Sequence, residues 1–246
     1  MFSIVIPTYK RNNSLCECLN CLIHYTQPSF QDQINAYVEV VISDDAHDPE
    51  LEALLQQSYP WCSYLRGPAK GPAGNRNHAA HHAKGDWLVF TDDDCLPQEG
   101  WIEAYARHSS HLDIMEGRTS ATGTRYQIDD ECPINEIGGY LWSCNFAIRR
   151  GIFLEMGGFD ERFPSPAIED VEFNVRIGKK GLRRSFVPTA LVLHPWRRRK
   201  GFEFITVKAN SLSTFIRLHP EYAQRFTLKN QLVNSMRSFK KNISLL

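Results

Sequence analysis

At 246 residues, with 42% apolar and 23% charged side chains, the chain has the composition of a soluble globular protein able to bury one large core or two small ones. No apolar run approaches the length of a membrane span, and the seven cysteines follow no framework spacing, which argues against a spanning protein and a disulfide scaffold. Formal net charge is zero but unevenly spread: residues 1–196 hold 17 Lys/Arg against 26 Asp/Glu, and residues 197–246 hold 11 against 2.

Residues 2–7 (FSIVIP) read as a buried strand closed by Pro7, and the polar segment PTYKRNNS leads away from its carboxyl end. Leu15, Cys18, Leu19, Leu22 and Ile23 recur at helical spacing, with Asn13 or Ser14 as the N-cap. Cys18 and Cys21 form a C-x-x-C with Cys16 nearby. No second pair or suitably spaced histidines complete a zinc site, so these thiols read as small buried hydrophobes. Residues 37–43 (YVEVVIS) give a second strand that ends in Asp44 and Asp45. Asp48-Pro49 caps and opens a helix reaching about residue 57, and residues 62–66 form a short third strand. The segment GPAGNRNHAAHHAKG, residues 71–85, predicts a helix with Gly85 at C′. Its entrance offers backbone N–H groups and a positive dipole end to an anion, and Arg76 adds a guanidinium. His78, His81 and His82 lack the Glu of an H-E-x-x-H and read as a solvated helix face.

Residues 87–90 (WLVF) are a buried strand of a parallel sheet that runs straight into Asp92, Asp93 and Asp94. Three like charges at a strand end repel, and a divalent cation with hard oxygen ligands would offset that repulsion. In open α/β sheets ligands sit at the carboxyl ends of strands, where these acids fall. The first hundred residues therefore predict a doubly wound, mostly parallel sheet that binds a phosphorylated ligand across its top.

The second half is less regular. Residues 101–110 are helical, and residues 118–138 form a long turn-rich stretch expected to be a mobile binding loop. Residues 143–148 read as a strand and 150–156 as a short helix. A helix over about 169–179 carries Glu169 and Asp170 in its first turn, with Gly181 beyond its end. Residues 185–187 and 190–193 read as two strands, the latter running into His194. No signal peptide precedes the first strand, so a cytoplasmic protein with reduced thiols is expected.

Five marks in order resemble the inverting GT-A glycosyltransferases of family 2, over residues 1 to about 195. They are SIVIPTYKR at the start, ISDDA at 42–46, GPAGNRN at 71–77, FTDDDC at 90–95, and GGFDERF…EDVEFNVR from 157 to 176. The resemblance implies a Rossmann-like GT-A domain at 1–196, with a nucleotide-binding half (1–100) and an acceptor-binding half (101–196). A basic, amphipathic helical extension follows at 197–246. It implies that Pro7, Thr8 and Tyr9 line the nucleotide pocket. Asp44 would accept a hydrogen bond from uracil with Asp45 beside it, and Arg76 would face the base or diphosphate. Asp92 and Asp94 would form the D-x-D, with Asp94 the direct metal ligand and Asp92 nearer the ribose. The acidic triplet leaves Asp93 able to coordinate as well. His194 would be a further ligand or phosphate contact, Asp170 the catalytic base, and Trp142 and Glu169 acceptor contacts. SDDA lacks the Gly-Ser that usually follows the acidic pair, so that loop departs from the pattern.

The implied reaction is transfer of sugar from a nucleotide-diphosphate donor, a UDP-sugar, to a hydroxyl of a glycan or lipid-linked acceptor in surface polysaccharide synthesis, assisted by Mn²⁺ or Mg²⁺. A sugar nucleotidyltransferase would show a Gly-rich basic loop after the first strand, which PTYKRNNS is not. A non-catalytic nucleotide-sugar-binding subunit would have no need of the intact D-x-D and Glu-Asp. The basic extension suggests peripheral attachment to an anionic membrane; it carries no nucleic-acid motif.

Overall fold

The structure, a computed structural model, describes residues 1–34, 36–127, 130–163, 168–198 and 201–226, without the side chains of 201–207 and 225–226. Strand and helix alternate from the first residue. β1 (Phe2–Thr8), α1 (Asn12–Leu22), α2 (Pro28–Ile34), β2 (Val38–Asp44), α3 (Pro49–Ser58), β3 (Cys62–Arg66), α4 (Gly71–His82) and β4 (Trp87–Phe90) make the first half. β5 (Leu96–Pro97), α5 (Trp101–His108), β6 (Ile114–Thr122), β7 (Phe146–Arg149), α6 (Arg150–Glu155), α7 (Glu169–Gly178), β8 (Arg184–Pro195) and α8 (Gly201–Leu218) make the second. They form one sheet in the order β3-β2-β1-β4-β7-β6-β8-β5. The pairs β1–β2, β1–β4, β2–β3 and β6–β8 are parallel, and β7 enters antiparallel between β4 and β6.

The period of two decides which side chains go where. Ile4, Ile6, Val40, Ile42 and Val89 face the layer of α1, α3 and α5, with Leu15, Leu51 and Trp101. Their neighbours Val5, Val41, Leu88 and Phe90 face α4, α6 and α7, with Ala79, Phe153 and Phe173. Burial on both faces explains the continuous apolar runs of β1 and β4. Because α1 and α4 lie on opposite faces, the carboxyl ends of β1 and β4 meet at a topological switch point, the usual crevice of such sheets.

Several local expectations change. α1 begins at Asn12 after Arg11, with no side-chain cap, so neither Asn13 nor Ser14 is the N-cap. α4 ends at Ala83 in an extended conformation, so Gly85 is not its C′ residue. Glycine is needed there for another reason: a Cβ would come within 2.6 Å of Ser3 Oγ and 2.9 Å of the Met1 carbonyl oxygen. The turn-rich stretch expected from residue 118 begins inside β6, and residues 128–129 of it lie outside the described residues. The two short strands expected after residue 185 are one strand, β8. Its register against β6 jumps from Gly117↔Val187 to Arg118↔Leu191, so Pro188 falls in the bulge, where its missing N–H forfeits no ladder bond.

Asn145 sits at that bulge. Its amide donates to the carbonyls of Arg118 (2.7 Å) and Ala190 (2.9 Å) and accepts from Trp101 Nε1 (2.8 Å) and Tyr105 Oη (2.7 Å). All four capacities of a buried amide are thus used, tying α5, β6 and β8 to the start of β7. Gly117 lies against the same amide, and a side chain there would collide with it. Beyond this bulge β8 carries His194 to within 3.5 Å of Asp94, just past the end of β4. Among the described residues no helix is long and apolar enough to cross a membrane. Of the basic extension expected at 197–246, the described residues include the helix α8, and residues 227–246 lie outside the described residues.

Candidate active site

The three acids after β4 do not stand as bare like charges: arginines from three segments surround them. Arg76 from α4 donates to Asp92 Oδ1 at 2.6 Å. Arg11, at the start of α1, bridges Asp93 Oδ1 and Asp94 Oδ2, each at 3.0 Å. Arg197, beyond β8, holds Asp94 through two bonds of 2.9 and 2.7 Å and reaches Asp92 Oδ2 at 3.5 Å. Burial pushes the Asp92 carboxyl upward, but Arg76 and Arg197 outweigh it and hold the group well below the usual carboxylate range. Burial wins at Asp93, which rises to about 6 against the pull of Arg11 while Thr8 Oγ1 donates to it at 2.8 Å. Repulsion among the acids is therefore already offset by arginines.

His194 supplies the fit test for such a cation. Its Nδ1 lies 2.7 Å from the Pro195 carbonyl oxygen, which fixes the proton on that nitrogen. Nε2 is left a bare acceptor, fully buried, with no hydrogen-bond partner and 3.5 Å from Asp94 Oδ1. Burial first, then the charge of Arg197, pushes the imidazole down, so it stays neutral. A lone pair facing a carboxylate oxygen is repulsive unless a cation lies between them, and a ligating histidine usually donates its other N–H in this manner. Cys95 Sγ completes a group of three potential ligands within 4.8 Å, but burial raises its thiol well above the ordinary value and keeps it protonated. The remaining donors, carboxylate oxygens and one imidazole, suit Mn²⁺ or Mg²⁺.

The second acid pair opens α7. Ile168 precedes it with φ of 74°, a left-handed conformation that costs a β-branched residue energy and turns the chain abruptly into the helix. Glu169 is buried and paired with Arg76 Nη1 at 3.2 Å, so one guanidinium spans both acid clusters. Asp170 lies beside it, receiving the N–H of Val171 at 2.8 Å and that of Ser143. Burial, then the like charge of Glu169, pushes Asp170 up to about 7 against the opposing pull of Arg76. A carboxyl that titrates near neutral pH is ionised in a large fraction of molecules there and can take up a proton.

Residues 139–142 wall this side. Glu116 Oε2 collects the N–H groups of Gly139, Tyr140 and Leu141 at 2.6–3.3 Å, while its other oxygen binds Arg184. Tyr140 and Trp142 then stack at 5.3 Å with planes 12° apart, next to Ser143. Across the cleft, Pro7 is half-buried, Thr8 is committed to Asp93, and the Tyr9 ring is 56% exposed. Asp44 is fully buried and turned into its own loop, accepting from Ala46 and Asp48 N–H (2.8 Å each) and from Tyr64 Oη (3.1 Å). Asp45 accepts from Ala69 and Gly71 N–H, so the acidic pair braces two loops at the head of α4.

The structure thus gathers Thr8, Arg76, Asp92, Asp93, Asp94, Glu169, Asp170 and His194 around one cleft. Arg11, Arg197, Glu116 and Tyr140 belong to the same neighbourhood and were not singled out from sequence. For Arg197 a signal existed, since the basic run starts three residues after the strand-end histidine.

A family model described as glycosyl transferase family 2 matches residues 3–133, and one described as glycosyltransferase like family 2 matches residues 140–224. The chain belongs to glycosyl transferase family 2. An uncharacterized glycosyltransferase of Haemophilus influenzae is 28% identical over 194 residues, covering 72% of this family 2 chain and 62% of its own. The O-antigen biosynthesis protein RfbC of Myxococcus xanthus is 26% identical over 218 residues, 74% of this chain and 16% of its own. The chain therefore spans less than two thirds of the length of these curated relatives. The crystal structure of GalNAc-T7 with UDP, GalNAc and Mn²⁺ superposes with a TM-score of 0.65 over 88% of this chain and 47% of that one. At 16% identity this is a likeness of fold, and the fold is the GT-A arrangement expected from the sequence.

Proposed function

We propose that this family 2 chain transfers a sugar, with inversion, from a nucleotide-diphosphate donor to a hydroxyl of a glycan or lipid-linked acceptor. The observation that carries the proposal is the pairing of an arginine-ringed acid cluster that includes His194 with a separate carboxyl, Asp170, raised to about 7. UDP is the favoured carrier, since it accompanies the similar fold of GalNAc-T7, and the likeness to RfbC points toward surface polysaccharide.

Asp94 and His194, with Asp92 beside them, would hold Mn²⁺ or Mg²⁺. When bound, such an ion supplies a Lewis acid that neutralises the departing diphosphate. Pro7, Thr8 and Tyr9 line the nucleotide's side, and Asp44 and Asp45 shape the base pocket by bracing its loops. Tyr140 and Trp142 offer a flat aromatic face to an acceptor sugar, and Glu116 fixes the loop that presents it. Asp170 takes the proton from the acceptor hydroxyl. The hydroxyl oxygen attacks the anomeric carbon opposite the diphosphate, the carbon–oxygen bond to phosphate breaks, and its electron pair leaves with the nucleotide. Glu169 and Arg76 orient Asp170 and tune its proton affinity. An α-linked donor then gives a β-glycoside.

The test is release of nucleotide from a panel of UDP-, GDP- and TDP-sugars, with Mn²⁺ and with chelator. Metal-dependent turnover of one of them is expected; none with any donor would leave a nucleotide-sugar-binding subunit as the reading. We place the basic extension on an anionic membrane at the cytoplasmic face, each Lys or Arg near the surface contributing about 1 kcal/mol. Co-sedimentation with anionic vesicles should fall as salt rises.

A further inference from the structure

The arginine that holds the metal-binding carboxylates is itself held at its backbone. Arg197 N donates to the Glu131 carbonyl at 2.8 Å and Glu131 N to the Arg197 carbonyl at 2.9 Å, an isolated antiparallel bridge. In the strap formed by the end of β8 and the residues after it, just before Arg197, Cys132 Sγ donates to the His194 carbonyl at 3.5 Å and Arg125 lies 5.0 Å over the Trp196 ring. The strap is therefore fixed, while the Arg197 side chain crosses the cleft and remains 38% exposed.

What that side chain does there is peculiar. It chelates Asp94 with two nitrogens and reaches Asp92 with one, and these are the oxygens that a cation shared with His194 Nε2 would need. A bidentate arginine–carboxylate pair is among the stronger polar contacts a protein makes. A cation entering between Asp94 and His194 must break it, and the released guanidinium then needs another anion within reach of a fixed backbone. Guanidinium matches phosphate oxygens as well as it matches carboxylate, with the same two-pronged geometry.

We infer that Arg197 is an exchangeable counter-ion, its carboxylates passing to the divalent cation while its guanidinium passes to the nucleotide's diphosphate. This rests on the reading of Asp94 and His194 as the cation site. Neither ligand alone satisfies every group in the exchange: the cation without a diphosphate strands the guanidinium, and the diphosphate without a cation strands the carboxylates. Cation and nucleotide therefore bind cooperatively, and part of that coupling resides in one side chain. Arg11 touches Asp93 and Asp94 by single bonds and chelates neither, and Arg76 is buried against Glu169, so neither makes the two-pronged pair on Asp94 that an entering cation must break.

The experiment measures Mn²⁺ binding by electron paramagnetic resonance, with and without UDP, for the full chain and for Arg197→Gln, Arg197→Lys and Asp94→Asn. In the wild type, Mn²⁺ alone should bind weakly and tighten when UDP is added. Arg197→Gln should bind Mn²⁺ alone on the order of 10-fold more tightly, and the tightening by UDP should shrink by a similar factor. By linkage, the tightening of UDP by Mn²⁺ must shrink equally. Arg197→Lys keeps the charge but not the fork, and should fall between the two, which guards against a misfolded glutamine variant. Mn²⁺ binding lost in Asp94→Asn but unchanged or weaker in both Arg197 variants would overturn the exchange and leave the cation site standing. Mn²⁺ bound as well by Asp94→Asn as by the wild type would remove the cation site, and the exchange with it.

Discussion

Asp92 and Asp170 both lie within the field of Arg76, yet the chain drives their carboxyls apart. Asp92 sits among arginines from α4 and the strap after β8, and these overcome its burial and keep it ionised. Asp170 is set beside Glu169, so burial and a like charge act together and lift it to about 7. The same residue type thus becomes a permanent anion in one place and a carboxyl that titrates near neutral pH in the other, six strand and helix elements further along the chain. Environment, rather than identity, assigns the role.

Removing the anionic side of this contrast should have the largest effect. Chelation, or Asp94→Asn, should lower sugar transfer by roughly 10³-fold, because the departing diphosphate loses a stabilisation of several kcal/mol. Chelator-treated wild type should recover with added Mn²⁺ and Asp94→Asn should not; retained turnover in excess chelator would break the contrast at its anionic end.

Asp170→Asn comes next, with transfer falling by roughly 10²-fold or more while UDP affinity stays near that of the wild type. Wild-type kcat/KM should climb with pH up to about 7 and level off above it, since the base must be deprotonated. Stability has the opposite sign. An unfolded aspartate titrates near about 4, so the folded state binds this proton more tightly, and stability falls as pH rises from there through about 7. Asp170→Asn should therefore hold or raise the melting temperature at pH 8 while activity collapses. A variant transferring within a few-fold of wild type would end the base assignment.

The shared arginine offers a subtler probe. Arg76→Met strands two buried carboxylates and should cost about 3–5 kcal/mol of stability, measured by urea unfolding. It should also move the acidic limb of the pH profile upward, because Arg76 pulls Asp170 down. Glu169→Gln should be the mildest. It removes the like charge that helps raise Asp170, so the limb should shift below 7 and turnover at pH 6 should rise relative to pH 8. A limb unmoved by both changes would mean that it belongs to another group.

The half of the site that was legible in sequence is the half built by simple strands. β1, β2 and β4 are apolar runs ending in polar residues, and a parallel sheet places those ends together, so Thr8, Asp92 and Asp94 could be located before any coordinates. Asp170 and His194 were singled out only by the resemblance to family 2, since acids in a first helical turn and a histidine at a strand end also have purely structural uses. β6 was obscured because its middle is Gly117-Arg118, where the register shifts and alternation fails. Arg11 and Arg197 were missed because a basic residue in a polar loop reads as solvated until its carboxylate partner, 83 or 103 positions away, is placed beside it. Glu116 was hidden likewise, its partners being backbone N–H groups of a distant loop.

Asn145 carries a consequence for how long the fold lasts once made. Its four hydrogen bonds join segments that lie 27 to 45 residues from it, and the set is complete only when α5, β6 and β8 have all arrived. Bonds of that kind should be largely absent from the rate-limiting barrier to folding and should act mainly against escape from the native state. Asn145→Ala should then leave refolding within a few-fold of wild type and accelerate unfolding by orders of magnitude, as read from the two arms of a chevron plot. The lifetime of the assembled cleft would rest less on the depth of its core than on one saturated amide at a bulge.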